Sequence, residues 1–319
     1  MKRIGILTSG GDAPGMNAAV RAVARKALSS NLEVCGINYG YRGLVEGDIF
    51  EIKEKEVSDL IQLGGTILYT ARYPEFAEKE YQQKGVAQLK RNGIDALVTI
   101  GGDGSYHGAV RLTEQGINAI GLPGTIDNDI PFTDQTIGFS TAIQTSVSEI
   151  DKIRDTAKSH GRIFVVEVMG RNSGEIALRT AIASGSQVVV IPEKPFDIDQ
   201  IATTIKDARQ RGHQHQIIIT AEGAIHADSL TQQLSNLGIE NIRSVTLGHV
   251  ARGGSPTAED RILASRMGSY AIDLLLAGKG GQAVGIEQGV ITHHSMLDLF
   301  NTKSKTDLSM YDLANILAY

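Results

Sequence analysis

Short apolar runs alternate with glycine-rich turns and amphipathic stretches along most of the chain. Residues 3–8, with Ile4, Ile6 and Leu7, read as a buried strand, and a turn over 9–15 carries Gly10, Gly11 and Gly15. From Met16 onward, Val20, Val23, Ala24, Ala27 and Leu28 keep the spacing of one helical face, and 33–37 resumes a strand. The same order predicts a strand over 96–100 with a helix over about 106–115 closed by Gly116. It recurs as a strand over 164–168, a loop over 169–174 and a helix over 175–183. Further strands are expected at 119–122, 187–191, 216–220 and 244–247. Ile143, Val147, Ile150 and Ile153 predict a connecting helix over 141–159, and Leu263, Met267, Tyr270 and Leu274 mark the apolar face of another long helix. Such alternation predicts an α/β protein built of doubly wound, Rossmann-like three-layer α/β/α domains with mostly parallel sheets.

At 319 residues the chain exceeds the usual size of a single core, so two domains are expected, although no low-complexity linker marks a boundary. A charged content of 21% and a net charge of -5 give no general attraction to nucleic acid or to an anionic membrane, so any anionic ligand must meet local basic clusters. Met1, Lys2 and Arg3 lead directly into a strand without an apolar signal region or a long apolar run, from which a cytoplasmic location is expected. The single cysteine, Cys35, excludes an intramolecular disulfide and falls in a strand, where it reads as a small buried residue. His293 and His294 lack neighbours at metal-ligand spacing, so a hard, oxygen-liking ion such as Mg²⁺ is the metal to expect.

The chemistry concentrates in two acidic loops, each following a strand: Gly101-Gly102-Asp103-Gly104-Ser105 and Pro123-Gly124-Thr125-Ile126-Asp127-Asn128-Asp129. An open parallel sheet places its ligands at such strand ends. The first loop offers backbone amides to an anion, and Asp103 suits Mg²⁺, directly or through water, although aspartate between glycines is also a common turn former. Asp127 and Asp129 either close a turn around Asn128 or serve one as a metal contact and the other as a proton acceptor. Neither a GxxxxGK[ST] phosphate loop nor a protein-kinase signature is present, and the glycines of 102–108 miss the GxGxxG spacing by one residue. Arg72, Arg171 and Arg252 stand in glycine-bordered loops suited to stabilising a transferring phosphoryl group, whereas isolated arginines such as Arg91 and Arg209 read as solvated side chains. His249 and Arg252, at another strand end, suit a second phosphate.

Together and in this order, almost from end to end, these loops closely resemble the bacterial ATP-dependent 6-phosphofructokinases, the phosphofructokinase A family. The resemblance rests on 8–15, Gly64-Gly65-Thr66 through Arg72, 101–105, 123–129, Met169-Gly170-Arg171, Ala221-Glu222-Gly223 and 248–256. It implies a phosphotransferase with an alcohol acceptor, converting fructose 6-phosphate and ATP to fructose 1,6-bisphosphate and ADP in glycolysis. Asp127 is then the general base on the 1-hydroxyl, with Thr125, Asp129, Arg171, Arg72 and Gly11 as its catalytic partners and Asp103 at Mg²⁺. Gly11, Arg72, Tyr73, Gly102, Asp103, Gly104 and Ser105 become the ATP contacts. The sugar-phosphate contacts become Thr125, Ile126, Asp127, Met169, Gly170, Arg171, Glu222, His249, Val250, Ala251 and Arg252, with Arg162 and Arg243 reaching a neighbour's substrate in a homotetramer. Residues 1–138 plus 251–301 would hold ATP, and 139–250 plus 302–319 fructose 6-phosphate. Pyrophosphate-dependent relatives carry a bulky acidic residue at the position of Gly104 and lysine at that of Gly124, so the two glycines favour ATP.

The family's effector pocket for ADP and phosphoenolpyruvate maps to Arg21, Arg25, Asp59, Arg154, Gly185, Gln187, Arg211, His213 and His215. Gln187 replaces the usual glutamate, and Arg211 and His213 replace lysines, which implies weakened allosteric control. Two other readings compete with this kinase. Nicotinamide-dinucleotide kinases share the Gly-Gly-Asp-Gly loop but lack the set Arg162, Arg171, Arg243, His249 and Arg252. A non-catalytic sugar-phosphate or nucleotide sensor does not need Asp127.

Overall fold

The computed structural model describes residues 1–302 and 306–318. In chain order, β1 (Arg3–Ser9), α1 (Met16–Ser29), β2 (Glu33–Ile37), α2 (Gly40–Glu46) and β3 (Ile49–Glu51) come first. Then follow α3 (Lys79–Arg91), β4 (Ala96–Gly101), α4 (Asp103–Thr113), β5 (Asn118–Pro123) and α5 (Phe139–His160). The middle of the chain holds β6 (Ile163–Val168), α6 (Glu175–Ser184), β7 (Val188–Val190), α7 (Ile198–Gln210), β8 (Gln216–Ala221), α8 (Ala227–Asn236) and β9 (Ile242–Thr246). After these come α9 (Ala258–Leu276), β10 (Gln282–Glu287), β11 (Val290–Ser295), α10 (Met296–Leu299) and α11 (Leu308–Leu317).

The chain divides into two compact units, Met1–Thr141 with Arg252–Ser304, and Ala142–Ala251 with Lys305–Tyr319. Of the tail expected over 302–319, residues 303–305 and 319 lie outside the described residues.

The first unit is built on a seven-stranded sheet ordered β11-β10-β5-β4-β1-β2-β3. Its strands run parallel from β10 to β2, and β11 and β3 add antiparallel edges. Both faces of such a sheet are covered, so its central strands are apolar throughout: every residue of β4 is buried, and Ile4, Ile6 and Leu7 of β1 are fully so. Leu7, Ile37, Leu44, Leu89, Leu97 and Leu112 form one continuous core with Tyr41 and Tyr106. The path goes from β1 outward to β2 and from β4 outward to β5 in the opposite direction, so the strand order reverses between β1 and β4.

The second unit carries a four-stranded, wholly parallel sheet ordered β7-β8-β6-β9. Ile163, Val165, Ile205, Ile218, Leu230 and Leu234 form its core. Cys35 is buried in the first unit, and burial pushes its thiol pKa up, as befits an apolar filler. Among the described residues no helix is long and apolar enough to cross a membrane.

Candidate active site

In the first unit three loops leave adjacent strands along one line, because Ser9 pairs with Gly101 and Gly101 with Pro123 in parallel register. This is the carboxyl edge on either side of the reversal between β1 and β4, where an open α/β sheet forms its crevice. The Ser105 hydroxyl donates to the Ser9 carbonyl at 2.9 Å, Tyr41 donates to the Ser105 carbonyl at 2.5 Å, and the Gly124 amide donates to the Gly101 carbonyl at 3.0 Å.

The helix expected over 106–115 begins three residues earlier, at Asp103, and ends at Thr113. Gly102 takes an extended conformation as its N-cap, so the Gly-Asp-Gly segment, which reads locally as a turn, enters the helix. The Asp103 carboxylate therefore sits in the first turn, at the positive end of the helix dipole, mostly exposed and 3.6 Å from His107 Nε2. Apart from its own helix and chain neighbours, nothing lies within 4 Å of the place a Cβ on Gly104 would take, so α4 faces open space at that position.

The second acidic loop is held rigidly. Thr125 and Asp127 are only 6% and 3% exposed, and the Asp127 amide donates to Thr125 Oγ1 at 3.2 Å. Thr136 Oγ1 donates to the Thr125 carbonyl at 2.6 Å. Asn128, at φ 52°, accepts from the Thr136 amide at 2.8 Å and donates to the Asp134 carbonyl at 3.2 Å, so the asparagine side chain closes the turn. Ile126 is fully buried and Asp129 is half-buried. The Thr125 side chain comes within 3.5 Å of where a Cβ on Gly102 would stand, so the two acidic loops abut.

The segment leading to Arg72 and Tyr73 is tied down from below. Thr8 Oγ1 donates to the Tyr69 carbonyl at 2.7 Å, Thr70 Oγ1 donates to the Gly10 carbonyl at 2.7 Å, and the Asn17 amide donates to the Leu63 and Gly64 carbonyls at 3.2 and 3.0 Å. Arg72 itself is exposed. Arg252 donates to the Asp12 carbonyl at 3.1 Å, with its guanidinium against Gly11.

In the second unit, Met169, Gly170 and Arg171 follow β6, and the last two adopt φ 143° and 53°. Glu222, just after β8, holds this turn by accepting from the Gly170 and Arg171 amides at 3.2 and 2.8 Å. His249 and Val250 are exposed and Ala251 is buried in a short helical turn, Gly248–Arg252, beyond β9. These groups belong to the carboxyl ends of the strands. Arg162 and Arg243 instead lie at the amino ends, before β6 and early in β9 opposite Phe164. Six strand residues separate the two ends by roughly 20 Å, so one copy of this unit does not bring Arg162 and Arg243 to Glu222 and Arg171.

Of the residues matched to an effector pocket, Arg21 and Arg25 are half-buried on α1, with Arg25 Nη1 at 4.0 Å from Glu54, and Asp59 is exposed at φ 54°. In the second unit Arg154 donates to the Ser184 carbonyl and, at 3.5 Å, to that of Gly185. Gln187 turns inward: its Oε1 accepts from the Ile217 amide at 2.8 Å and its Nε2 donates to the Gly185 carbonyl at 3.4 Å. Burial lowers the His215 pKa, and the nearby cations Arg154 and Lys158, with His213, lower it further. Arg211 and His213 are exposed.

Among the described residues no group of three carboxylate, histidine or cysteine side chains is arranged to hold a metal ion. Asp103 alone, facing open space, fits Mg²⁺ that arrives on phosphate oxygens, since this ion keeps several ligands from its substrate. The groups that sequence reasoning passes over are supports: Thr8, Asn17 and Tyr41 carry no chemistry of their own and show their role only through their partners.

The profile of the Phosphofructokinase family matches residues 3–275. The ATP-dependent 6-phosphofructokinase of Lacticaseibacillus casei is 60% identical over 319 residues, 100% of both chains, and that of Lactiplantibacillus plantarum is 57% identical over the same coverage. The solved phosphofructokinase of Saccharomyces cerevisiae superposes with a TM-score of 0.88 at 33% identity, covering 100% of this chain, which spans about half (48%) of that longer one. A pyrophosphate-dependent phosphofructokinase from Marinobacter aquaeolei shares the fold, with a TM-score of 0.85 at 22% identity over 97% of this chain and 86% of its own. With its paired acidic loops on the carboxyl edge of a doubly wound sheet, this chain belongs to the phosphofructokinase family.

Proposed function

We propose that the chain transfers the γ-phosphoryl group of ATP to the 1-hydroxyl of fructose 6-phosphate. The carrying observation is the contact of the two acidic loops, which sets buried Thr125, two residues before buried Asp127, against Gly102 at the entrance to α4. Phosphoryl transfer needs positioning and charge stabilisation more than covalent chemistry, and a preorganised loop pair offers both.

In this reading Gly11, Arg72, Tyr73 and residues 102–105 receive ATP, with the amides at the start of α4 turned toward its phosphates. Asp103, with the phosphates, would hold Mg²⁺, which would supply charge neutralisation at the transferring oxygens. Asp127 takes the proton of the attacking hydroxyl, and Thr125, Asp129 and Arg171 attend the transferring group. The first unit thus serves the nucleotide and the second the sugar phosphate, through Met169, Gly170, Arg171, Glu222, His249 and the turn reaching Arg252. The placement of Arg162 and Arg243 at the opposite strand ends supports their use by a neighbouring copy, in a homotetramer located in the cytoplasm. The inward hydrogen bonds of Gln187 support weakened control by ADP and phosphoenolpyruvate, because its side chain is already committed within the chain.

The test is product analysis by phosphorus NMR with fructose 6-phosphate and either Mg-ATP or pyrophosphate. Fructose 1,6-bisphosphate formed with ATP alone is expected; formation with pyrophosphate, or with neither donor, contradicts the reading.

A further inference from the structure

The most completely buried carboxylate outside the substrate loops is Asp260, in the first turn of α9, with no exposed surface. Among the described residues no cation pairs with it, and hydrogen bonds hold it. Its Oδ1 accepts from the Gly138 amide at 2.8 Å, and its Oδ2 accepts from the Thr141 amide at 2.8 Å and the Thr141 hydroxyl at 2.5 Å. Thr257 completes the knot, donating its amide to Thr141 Oγ1 at 3.0 Å while its hydroxyl accepts from the Asp260 amide at 3.2 Å. A carboxylate is therefore inserted where the first N–H groups of α5 need acceptors.

The segment it grips continues straight into the second acidic loop. Next to Gly138, the Ile137 amide donates to the Pro123 carbonyl at 2.8 Å, and next to that Thr136 donates to the Thr125 carbonyl. The same segment is backed by the first glycine loop: a Cβ on Gly138 would stand 2.7 Å from that of Ala13, and one on Gly15 would stand 2.7 Å from Ile137. Residues 136–138 thus form a layer between the loop at 13–15 and the loop at 123–127, fastened at one end by Asp260.

We propose that Asp260 is a positioning residue for phosphoryl transfer, fixing the 136–141 segment so that the Thr125–Asp127 loop stands in register with the glycine loop after β1. The proposal rests on Asp127 acting as the base. A displacement near 1 Å at a reacting group can cost as much as a hundredfold, so loosening this anchor should act on turnover through Asp127.

The test is a double-mutant cycle in the intact enzyme. Asp260→Asn should lower kcat about tenfold or more, while the dissociation constant of Mg-ATP changes less than about threefold. In an Asp127→Asn background the same substitution should cost less than about twofold, because residues acting as a unit are non-additive. An unchanged kcat, or a penalty undiminished in the Asp127→Asn background, overturns the proposal. If Asp260→Asn fails to fold, Thr141→Val should lower kcat and Thr141→Ser should restore it; equal rates for the two overturn the proposal as well. If Asp127→Asn retains full rate, the base assignment fails, and the split between kcat and the Mg-ATP constant in Asp260→Asn still decides whether Asp260 positions the site.

Discussion

The guanidinium of Arg252 lies against the backbone of Gly11 and donates to the Asp12 carbonyl at 3.1 Å, joining positions 240 residues apart. A Cβ on Gly11 would stand 3.0 Å from the guanidinium carbon, so Gly11→Ala displaces the end of a flexible side chain and leaves the fold intact. We expect kcat/KM for fructose 6-phosphate to fall about tenfold or more, with Tm lowered by less than about 4 °C. Steady-state kinetics and calorimetry on one preparation check both.

Gly104 and Gly124 have opposite surroundings. Nothing lies within 4 Å of a Cβ on Gly104, whereas one on Gly124 would meet Ile100 Cγ2 at 2.9 Å and Met16 Cε at 3.2 Å. Gly104→Asp should therefore fold normally and lose ATP affinity by about tenfold or more, since a carboxylate would repel the phosphates in open space. Gly124→Lys should instead lose stability by about 1–3 kcal/mol through overpacking. Urea titration of the two variants distinguishes the effects.

Gln187 uses its amide at both ends, and only an amide donates to the Gly185 carbonyl while accepting from Ile217. Gln187→Glu removes that donor and should destabilise the protein by about 1 kcal/mol. The wild-type rate should rise hyperbolically with fructose 6-phosphate and respond little to micromolar ADP. Strong sigmoidality relieved by ADP would contradict weakened control.

Asp95 accepts from the Lys2 and Arg3 amides at 2.5 and 3.1 Å, and these bonds, that of Lys2 first, hold its carboxyl below the usual range. A lowered folded-state pKa gives stability that is present above the unfolded value of about 3.9 and lost as pH falls through the folded one. The stability difference between wild type and Asp95→Asn should be present at neutral pH and shrink towards pH 3. A difference independent of pH would contradict this role.

Much of the scaffold is legible in the chain because buried parallel strands carry their own signal. Glu33–Ile37 is the strand read from its apolar run, and Ala96–Gly101, Ile163–Val168, Gln216–Ala221 and α5 depart from expectation by one or two residues at an end. The strand expected over 244–247 lies two residues earlier, at Ile242–Thr246, because its apolar faces are only half covered. Polar helices leave little trace: α3 is dominated by lysine, glutamine and glutamate and buries only Gln82, Gly85, Val86 and Leu89. The hairpin of β10 and β11 is equally hidden, since His293 pairs with Tyr270 and His294 with Glu287, contacts that no local spacing announces. The acidic loops stand out because Asp103, Asp127 and Asp129 come just after two buried apolar strands, where an open parallel sheet places its ligands. Their supports do not, because Asn17, Thr8 and Asp260 acquire meaning only from partners far along the chain.

The role of Asp127 as the base of an ATP-dependent kinase is read most directly in the initial rate of fructose 1,6-bisphosphate formation with Mg-ATP, for wild type and Asp127→Asn. Turnover by the wild type, reduced roughly a hundredfold or more in the variant, is the predicted result. Equal rates for the two proteins, or no turnover by the wild type, would contradict it.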